Sequence, residues 1–382
     1  MPATVGYALR AGLAREATIT AHVWPATAAA LVTQLLPLLT VNGNDGVTRA
    51  GSRTLVSGLA PVAFDLLSIA PTLQVPLQLR YQGLEQAWAL ACGFGAKRFG
   101  ATVNPETLAT GAYKHRYELD LTQGATPWML GEGFQLGSEL TLGQRRIRRA
   151  TIACDLRSEV WEFLSCMVAA WTLAADHSGC TLTLDLVGHS KSVASAINTA
   201  TTLANALPNV FPRARFDQCV WRIAPYSAGT PLNSGNAVTV SSWALRVDHQ
   251  LATSFGPRTG TAPEEYERTQ APTVTLTFVL PRHEAETWQQ RWRVGTVLMA
   301  DAKWTGEQIG ATGHNYQCNA YLPSLQVTNA QLSGAGSGLY PDTVQGIGVV
   351  PSAAAAGFPA MQFLGPLAVE LVSGVSQHGL GV

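Results

Sequence analysis

The segment 188–192, Gly-His-Ser-Lys-Ser, is the part of this chain whose residue types come closest to a catalytic motif. Many hydrolases hold a nucleophilic serine between two small residues, at a sharp turn from a strand into a helix. Gly188 supplies the first small residue, but Ser192 stands where the second glycine is expected. The motif around Ser190 is therefore incomplete.

A catalytic triad would also need an acid and a histidine after the serine. Asp217 can supply the acid, and His249 or His314 the base. A chain of this length contains such residues by chance, and the motif is meaningful only where parallel strands alternate with long helices. A serine hydrolase built on Ser190 is thus one of two classes of function to weigh.

The other reactive side chains form no recognisable site. The six cysteines include no Cys-x-x-Cys pair and no spacing that would place four ligands around zinc, so we expect free thiols. His177 and Cys180 lie three residues apart, but two ligands do not define a metal site. We assign no catalytic residue, no cofactor and no metal.

The charge content is unusually low, and it favours an assembling protein. Charged residues make up 13% of the chain, the formal net charge is zero and the mean hydropathy is +0.11. Ordinary soluble domains contain about 25% charged residues. So sparse a charged surface is expected where copies of the same chain cover one another. A surface rich in hydroxyl groups is the alternative.

The charge balance and the apolar pattern also bear on nucleic acids and membranes. Zero net charge does not suit a protein that neutralises phosphates. We therefore place the basic run Arg145, Arg146, Arg148 and Arg149 on an outer wall or in ion pairs between subunits, with a polar strand edge as the alternative. No stretch reaches the ~20 apolar residues of a membrane span. No signal peptide is evident, so synthesis in a cytoplasm is expected.

Alternating apolar residues predict a mainly β fold. Leu73, Val75, Leu77 and Leu79 alternate with other residues, as do Leu182, Leu184 and Leu186, and later Val274, Leu276, Phe278 and Leu280. This period of two is typical of half-buried strands. Helical spacing follows two of these strands, first at Leu84, Trp88 and Ala91, then at Ala285, Trp288 and Trp292. These two segments predict short flanking helices.

The strand and helix patterns recur along the chain. PTLQVPLQLR begins at Pro71 and PTVTLTFVLP begins at Pro272, 201 positions later; His115 and His314 open further strands at a spacing of 199. Such a fixed period predicts tandem duplication of one β domain. We expect a first domain with an N-terminal extension over 1–205, a second domain over 206–333, and a Gly/Ala-rich C-terminal arm over 334–382 that packs on a neighbour.

Four segments together resemble the major tail protein, or tail tube protein, of bacteriophages with long non-contractile tails. They are LQLRYQGLEQAWALACGFG, SGCTLTLDLVGH, WALRVDHQLATSFGP with TQAPTVTLTFVLP, and NYQCNAYLPSLQVTN. The resemblance covers roughly Val47 to Gln331. It implies two tandem tail-tube β-sandwich or barrel domains in a structural virion protein of the tail, made in the bacterial host cytoplasm, and no enzyme. Another virion part of related fold, such as a tail terminator or baseplate hub, is an alternative.

The resemblance also implies partners. Rings in this family resemble hexamers of one domain, so a chain with two domains is expected to close a ring with three copies, giving pseudo-sixfold symmetry. Stacked rings would conduct double-stranded DNA without binding it specifically. The tape-measure protein and the tail-end proteins are the other expected partners.

The long polar segment 250–272 is the candidate for contact between rings. Loops of this length are commonly either functional or disordered. Its mixed charges could set the register of one ring on the next, although a solvated loop is the alternative. The candidate residues are Arg258, Glu264, Glu265, Tyr266, Glu267 and Arg268.

Overall fold

The structure is a computed structural model in which strands dominate, as the sequence predicts. It describes residues 10–16, 29–45, 47–52, 63–94, 98–99, 102–103, 105–119, 149–193, 195–255, 263, 265–282, 287–332, 342–359 and 365–376. The mainly β fold is confirmed, since one sheet contains 17 strands and every pairing between named strands is antiparallel.

Among the described residues, the first half of the chain contains fourteen strands and two α-helices. In chain order they are β1 (Arg10–Arg15), β2 (Asn42–Asn44), β3 (Val47–Ser52), β4 (Ala63–Ile69), β5 (Thr72–Gln78), α1 (Glu85–Cys92), β6 (Gly93–Phe94), β7 (Arg98–Phe99), β8 (Thr102–Val103), β9 (Glu106–Ala109), β10 (Ala112–Leu119), β11 (Ala150–Asp155), β12 (Val160–Asp176), β13 (Gly179–Val187), β14 (Ser190–Ser192) and α2 (Ala200–Asn205).

The described part of the second half contains nine strands and one α-helix. They are β15 (Cys219–Pro225), β16 (Ser242–Asp248), β17 (Leu251–Ser254), β18 (Glu265–Arg268), β19 (Thr273–Leu280), α3 (Thr287–Val294), β20 (Val297–Gln308), β21 (Asn315–Leu332), β22 (Asp342–Gly348) and β23 (Ala368–Ser373). Helices α1 and α3 each follow a strand of the predicted pattern, which confirms both helix predictions.

The alternating apolar residues face one core. Every second residue of β5, β13 and β19 is buried, which confirms the predicted period of two. These buried side chains belong to a single hydrophobic cluster that draws on both halves of the chain. They are Leu73, Val75, Leu77, Leu182, Leu184, Leu186, Val274, Leu276, Phe278 and Leu280.

The same core is rich in tryptophan. The rings of Trp221 and Trp243 lie 4.8 Å apart, and those of Trp243 and Trp304 lie 5.3 Å apart. The rings of Trp88 and Trp171 lie 5.6 Å apart, edge to face. Aromatic pairs at these separations stabilise a core beyond the area that they bury.

One strand row organises the sheet, in the order β2, β5, β13, β12, β16, β19, β22, β21. Its first four strands come from the first half of the chain and its last four from the second. The two halves meet where β12 pairs with β16. Strand β20 pairs with β21 and β15 with β20, while β23 joins β21 to β10.

Seven strand pairings occur twice. In the first half β1 pairs with β11, β11 with β12, β12 with both β13 and β14, β13 with β5, β2 with β5, and β3 with β4. In the second half the same places are taken by β15 with β20, β20 with β21, β21 with both β22 and β23, β22 with β19, β16 with β19, and β17 with β18. Each set also places its helix directly after the corresponding strand, α1 after β5 and α3 after β19.

An irregularity in the ladders recurs as well. The β11–β12 ladder shifts register between Ala150 and Ile152, and the β20–β21 ladder shifts between Leu298 and Ala300. A β-bulge is a specific local feature that families retain. The two halves therefore share register detail as well as strand order.

One correspondence expected from the sequence is wrong. The spacing of His115 and His314 equates β10 with β21, but β21 occupies the place that β12 takes in the first half. The reason is an additional segment between α1 and β11, which contains β6 to β10, whereas β20 follows α3 almost at once. This segment shifts all later spacings.

The sheet crosses the domain limits expected from the sequence. Strand β12 pairs with β16 across the expected domain limit between residues 205 and 206. The division into domains 1–205 and 206–333 stays a prediction. Strands β22 and β23 lie in the segment 334–382, and both pair within the chain. These two strands are therefore part of the chain's own sheet, and the packing of this segment on a neighbour stays a prediction.

Removal of a central tryptophan should destabilise the fold. Trp243 is buried and contacts both Trp221 and Trp304, so Trp243→Ala should lower the free energy of unfolding by about 3–5 kcal/mol. Urea unfolding followed by circular dichroism measures the change. Val220→Ala is the control, because Val220 is 51% exposed and should cost no more than about 0.5 kcal/mol. Equal effects of the two substitutions would contradict this description of the core.

Candidate functional site

The turn before Ser190 joins β13 to β14, and both of these strands pair antiparallel with β12. The backbone N–H of Gly188 donates to the carbonyl of Pro71 at 2.9 Å, and that of His189 donates to the carbonyl of Leu164 at 3.0 Å. Ser190 then begins β14, opposite Leu164 of β12. A nucleophile elbow requires a turn from a strand into a helix. The structure therefore does not give Ser190 that geometry.

The other members of the hypothetical triad have partners of their own. His249 is buried, and its Nε2 lies 2.7 Å from the carbonyl oxygen of Ala91. Asp217 is exposed and forms an ion pair with Arg215 at 2.9 Å. His314 lies in the turn between β20 and β21. These contacts lead away from Ser190, and they give the hydrolase hypothesis no support.

A different serine, histidine and carboxylate do meet in the core. The hydroxyl of Ser373 donates to Glu85 Oε1 at 3.0 Å, and its Oγ lies 3.3 Å from His115 Nε2. His115 Nε2 also lies 2.8 Å from the carbonyl of Val375, and the N–H of Gly83 donates to Glu85 Oε2 at 2.8 Å. This cluster joins β23, β10 and α1.

The cluster has a structural role. Ser373 and His115 are fully buried, so no substrate reaches the hydroxyl. Burial lowers the pKa of His115 to about 4, and burial also raises the pKa of Glu85. Buried polar groups that bond to one another specify how elements dock. Glu85 and Ser373 lie too far apart in the chain for spacing to have indicated their contact.

The candidate ring contact lies on a β-hairpin. Leu251–Ser254 and Glu265–Arg268 pair as β17 and β18, which makes the expected loop a hairpin. Tyr266 is buried, and its hydroxyl donates to the carbonyl of Gly188 at 2.8 Å. Tyr266 thus fixes the base of the hairpin to the turn between β13 and β14.

The remaining candidate residues are only partly described. Arg258 and Glu264 lie outside the described residues, and for Glu265, Glu267 and Arg268 the structure gives the backbone pairing. Of the basic run, Arg145, Arg146 and Arg148 also lie outside the described residues. Arg149 is half-buried, and its carbonyl accepts from the N–H of Glu16 at 3.3 Å.

The described residues show no sign of a metal site or membrane span. No three histidine, cysteine or acidic side chains among them are grouped to hold a metal ion. None of their helices is long and apolar enough to cross a bilayer. All six cysteines are free thiols, and burial raises the pKa of Cys180 to about 11.

The described residues form a mainly β architecture built on one large antiparallel sheet. A family model described as phage tail tube protein matches residues 6–347, nearly the whole chain. The chain therefore belongs to the phage tail tube protein family, and it is a structural component of the virion tail that assembles into a tube. Comparison with curated proteins gave no significant match.

The buried histidine should make stability depend on pH. The unfolded chain protonates His115 below its ordinary pKa of 6.5, while the folded chain keeps it neutral down to about pH 4. Stability should therefore fall as pH falls from 6.5 to 4, by up to about 3 kcal/mol from this residue. His115→Gln should flatten that slope in urea unfolding experiments.

The control for this measurement is His177→Gln. His177 lies exposed in the turn between β12 and β13, so its replacement should leave the slope unchanged. Glu85 is present in all three proteins, so its own titration does not produce the difference. An unchanged slope in His115→Gln would show that His115 is not kept neutral by the fold.

Proposed function

We propose that three copies of the chain close into a ring, and that the rings stack into a tube that conducts the viral genome. Each ring would then contain six similar units with pseudo-sixfold symmetry. The tape-measure protein and the tail-end proteins would be the other partners of this tube. Double-stranded DNA would pass through the lumen without specific binding.

The observation that carries this proposal is the repeated strand pairing. Two sets of strands with the same seven pairings lie in one chain, which supports a duplicated tube unit. Within the chain the two sets already meet side by side, through β12 and β16. If the rotation that relates the first set of strands to the second is applied again, it would place the first set of the next copy beside the second set of this copy. Such a heterologous contact closes into a ring when the rotation is suitable.

The size of the resulting barrel suits a conduit. Each chain contributes the row of eight strands from β2 to β21, so three chains would contribute 24. With strands about 4.8 Å apart and tilted by about 40°, the backbone barrel would be about 50 Å across. Barrels of this size enclose an aqueous channel, because side chains cannot fill them.

The face of this row opposite the core is polar and carries little charge. Its residues include Thr72, Gln74, Thr181, Thr183, Thr275 and Gln345, all exposed or half-buried. Arg246 is the one basic residue of the eight strand segments, and it lies 3.3 Å from Asp185. Fixed cations would add salt-dependent affinity for phosphate. A lumen lined by this face would let DNA slide.

The hairpin β17–β18 remains our candidate for contact between rings. Its base is fixed by buried Tyr266, so the hairpin has a defined position relative to the sheet. Its other candidate residues, Arg258, Glu264, Glu265, Glu267 and Arg268, carry charges of both signs. Opposite charges on neighbouring rings would set their register.

Imaging of assembled tubes tests the number of chains in a ring. Electron cryomicroscopy of tubes from the purified full chain should show three chains and six similar units per ring. Six chains per ring would overturn the proposed ring. Single rings that never stack would instead favour a tail terminator or a baseplate hub.

Removal of acidic charge from the hairpin tests the contact between rings. Glu264→Gln with Glu265→Gln should shorten the tubes measured by electron microscopy, because each exposed ion pair contributes about 0.5 kcal/mol and recurs around the ring. Asp217→Asn with Glu307→Gln is the control, since it removes two exposed acids elsewhere. Tubes of equal length in both variants would remove these acids from the contact.

A further inference from the structure

The junction between the two halves provides a template for a contact between chains. Strands β12 and β16 pair antiparallel over seven residue pairs, from Ala170 opposite Asp248 to Asp176 opposite Ser242. This junction joins the last strand of the first half of the row to the first strand of the second half. A neighbouring copy would need the same type of junction at each end of the row.

Strand β21 occupies in the second half the place of β12 in the first. Each pairs with two successive strands on one side, β13 and β14 for β12, and β22 and β23 for β21. The β12–β13 ladder shifts register between Val168 and Ala170, and the β21–β22 ladder shifts between Val327 and Asn329. Aligning these shifts places Thr172 and Gln331 at equivalent positions.

The end of β21 has an edge to which no strand of the described chain pairs. Strand β20 runs along β21 only as far as Gln326, opposite Val297. Residues 327–332 continue beyond that point, with β22 on their other side. Val327 and Ala330 are buried, whereas Thr328 and Gln331 are exposed. In the first half, the equivalent edge of β12 is the one that pairs with β16.

Strand β2 is the first-half counterpart of β16. Strand β2 pairs with β5, and β16 pairs with β19. In the ladders of β13 and β22, Gln74 lies opposite Asp185 and Thr277 lies opposite Gln345, so Thr72 is equivalent to Thr275. Asn44 lies opposite Thr72 and Arg246 opposite Thr275, which makes Asn44 equivalent to Arg246 and Gly43 equivalent to Leu245. Asn44 is exposed at the opposite end of the row from Gln331.

We propose that residues 327–332 of one copy pair antiparallel with β2 of the next copy, in the register of the β12–β16 junction. This proposal rests on the proposed ring and names its contact. Because Thr172 lies opposite Arg246 within the chain, Gln331 would lie opposite Asn44 of the next copy, and Leu332 opposite Gly43. A second copy fits this edge because the chain already pairs the equivalent strands with each other.

The contact between copies would differ chemically from its template. At the template, Arg246 lies 3.3 Å from Asp185 and 3.4 Å from the hydroxyl of Thr172. The positions equivalent to Arg246 and Asp185 are Asn44 and Gln345, so amides replace the ion pair. Backbone hydrogen bonds would therefore hold the copies together, and added salt would weaken the contact little.

A cross-link at the predicted register tests this contact. The full chain carrying Asn44→Cys and Gln331→Cys should, in assembled tubes under mild oxidant, give a covalent ladder that ends at three chains. Directly opposite residues of antiparallel strands have Cα atoms about 4.5–5.5 Å apart, within the range of a disulfide. Each single variant should give no ladder. The native cysteines are buried or half-buried, which limits competing bonds.

The control pair is Thr72→Cys with Gln331→Cys. Thr72 lies on the neighbouring strand β5, opposite Asn44 within the chain. A cysteine at position 72 would therefore lie one strand further from position 331, and it should cross-link far less than a cysteine at position 44. Three-chain rings without the Asn44–Gln331 cross-link would overturn this contact while leaving the proposed ring intact. Particles that never form rings or tubes would instead overturn the proposed function itself. A ladder that ends at six chains would support the contact but contradict the ring of three.

Discussion

The backbone N–H and C=O groups at the edges of a sheet must find partners, and this requirement governs the whole molecule. Inside the chain it joins two similar sets of strands through β12 and β16. At the end of the row, residues 327–332 present the same kind of edge without a partner strand in the described chain. An edge that invites aggregation in a soluble monomer becomes useful in a protein that forms a tube.

Buried polar side chains stabilise the places where the ladders are irregular. Ser165 lies at the bulge of β12 with a positive φ of 53°, a conformation that costs free energy for a residue other than glycine. Its N–H and hydroxyl donate to the buried carboxylate of Glu16, at 2.6 and 2.8 Å. Nearby, Asn198 accepts from the N–H of Val32 at 2.9 Å. These contacts hold the segment before β2 against the first set of strands.

The sequence predicts the strands and both flanking helices because alternation and helical spacing reflect burial directly. It also predicts recurrence and matches β5 with β19, but it wrongly matches β10 with β21, since the segment between α1 and β11 has no counterpart after α3. Equivalent positions need not share residue types: Trp171 of β12 corresponds to Ala330 of β21. Trp292 completes a helical pattern yet is 44% exposed. Contacts such as Glu85 with Ser373 depend on the finished fold.

Amide hydrogen exchange of residues 327–332 tests most directly whether open strand edges drive assembly. The isolated chain and assembled tubes would be compared by mass spectrometry of the same peptide. We predict that the backbone N–H groups of residues 327–332 that point away from β22 exchange fast in the isolated chain and are strongly protected in tubes. Equal exchange in both states would contradict a role for this edge in assembly.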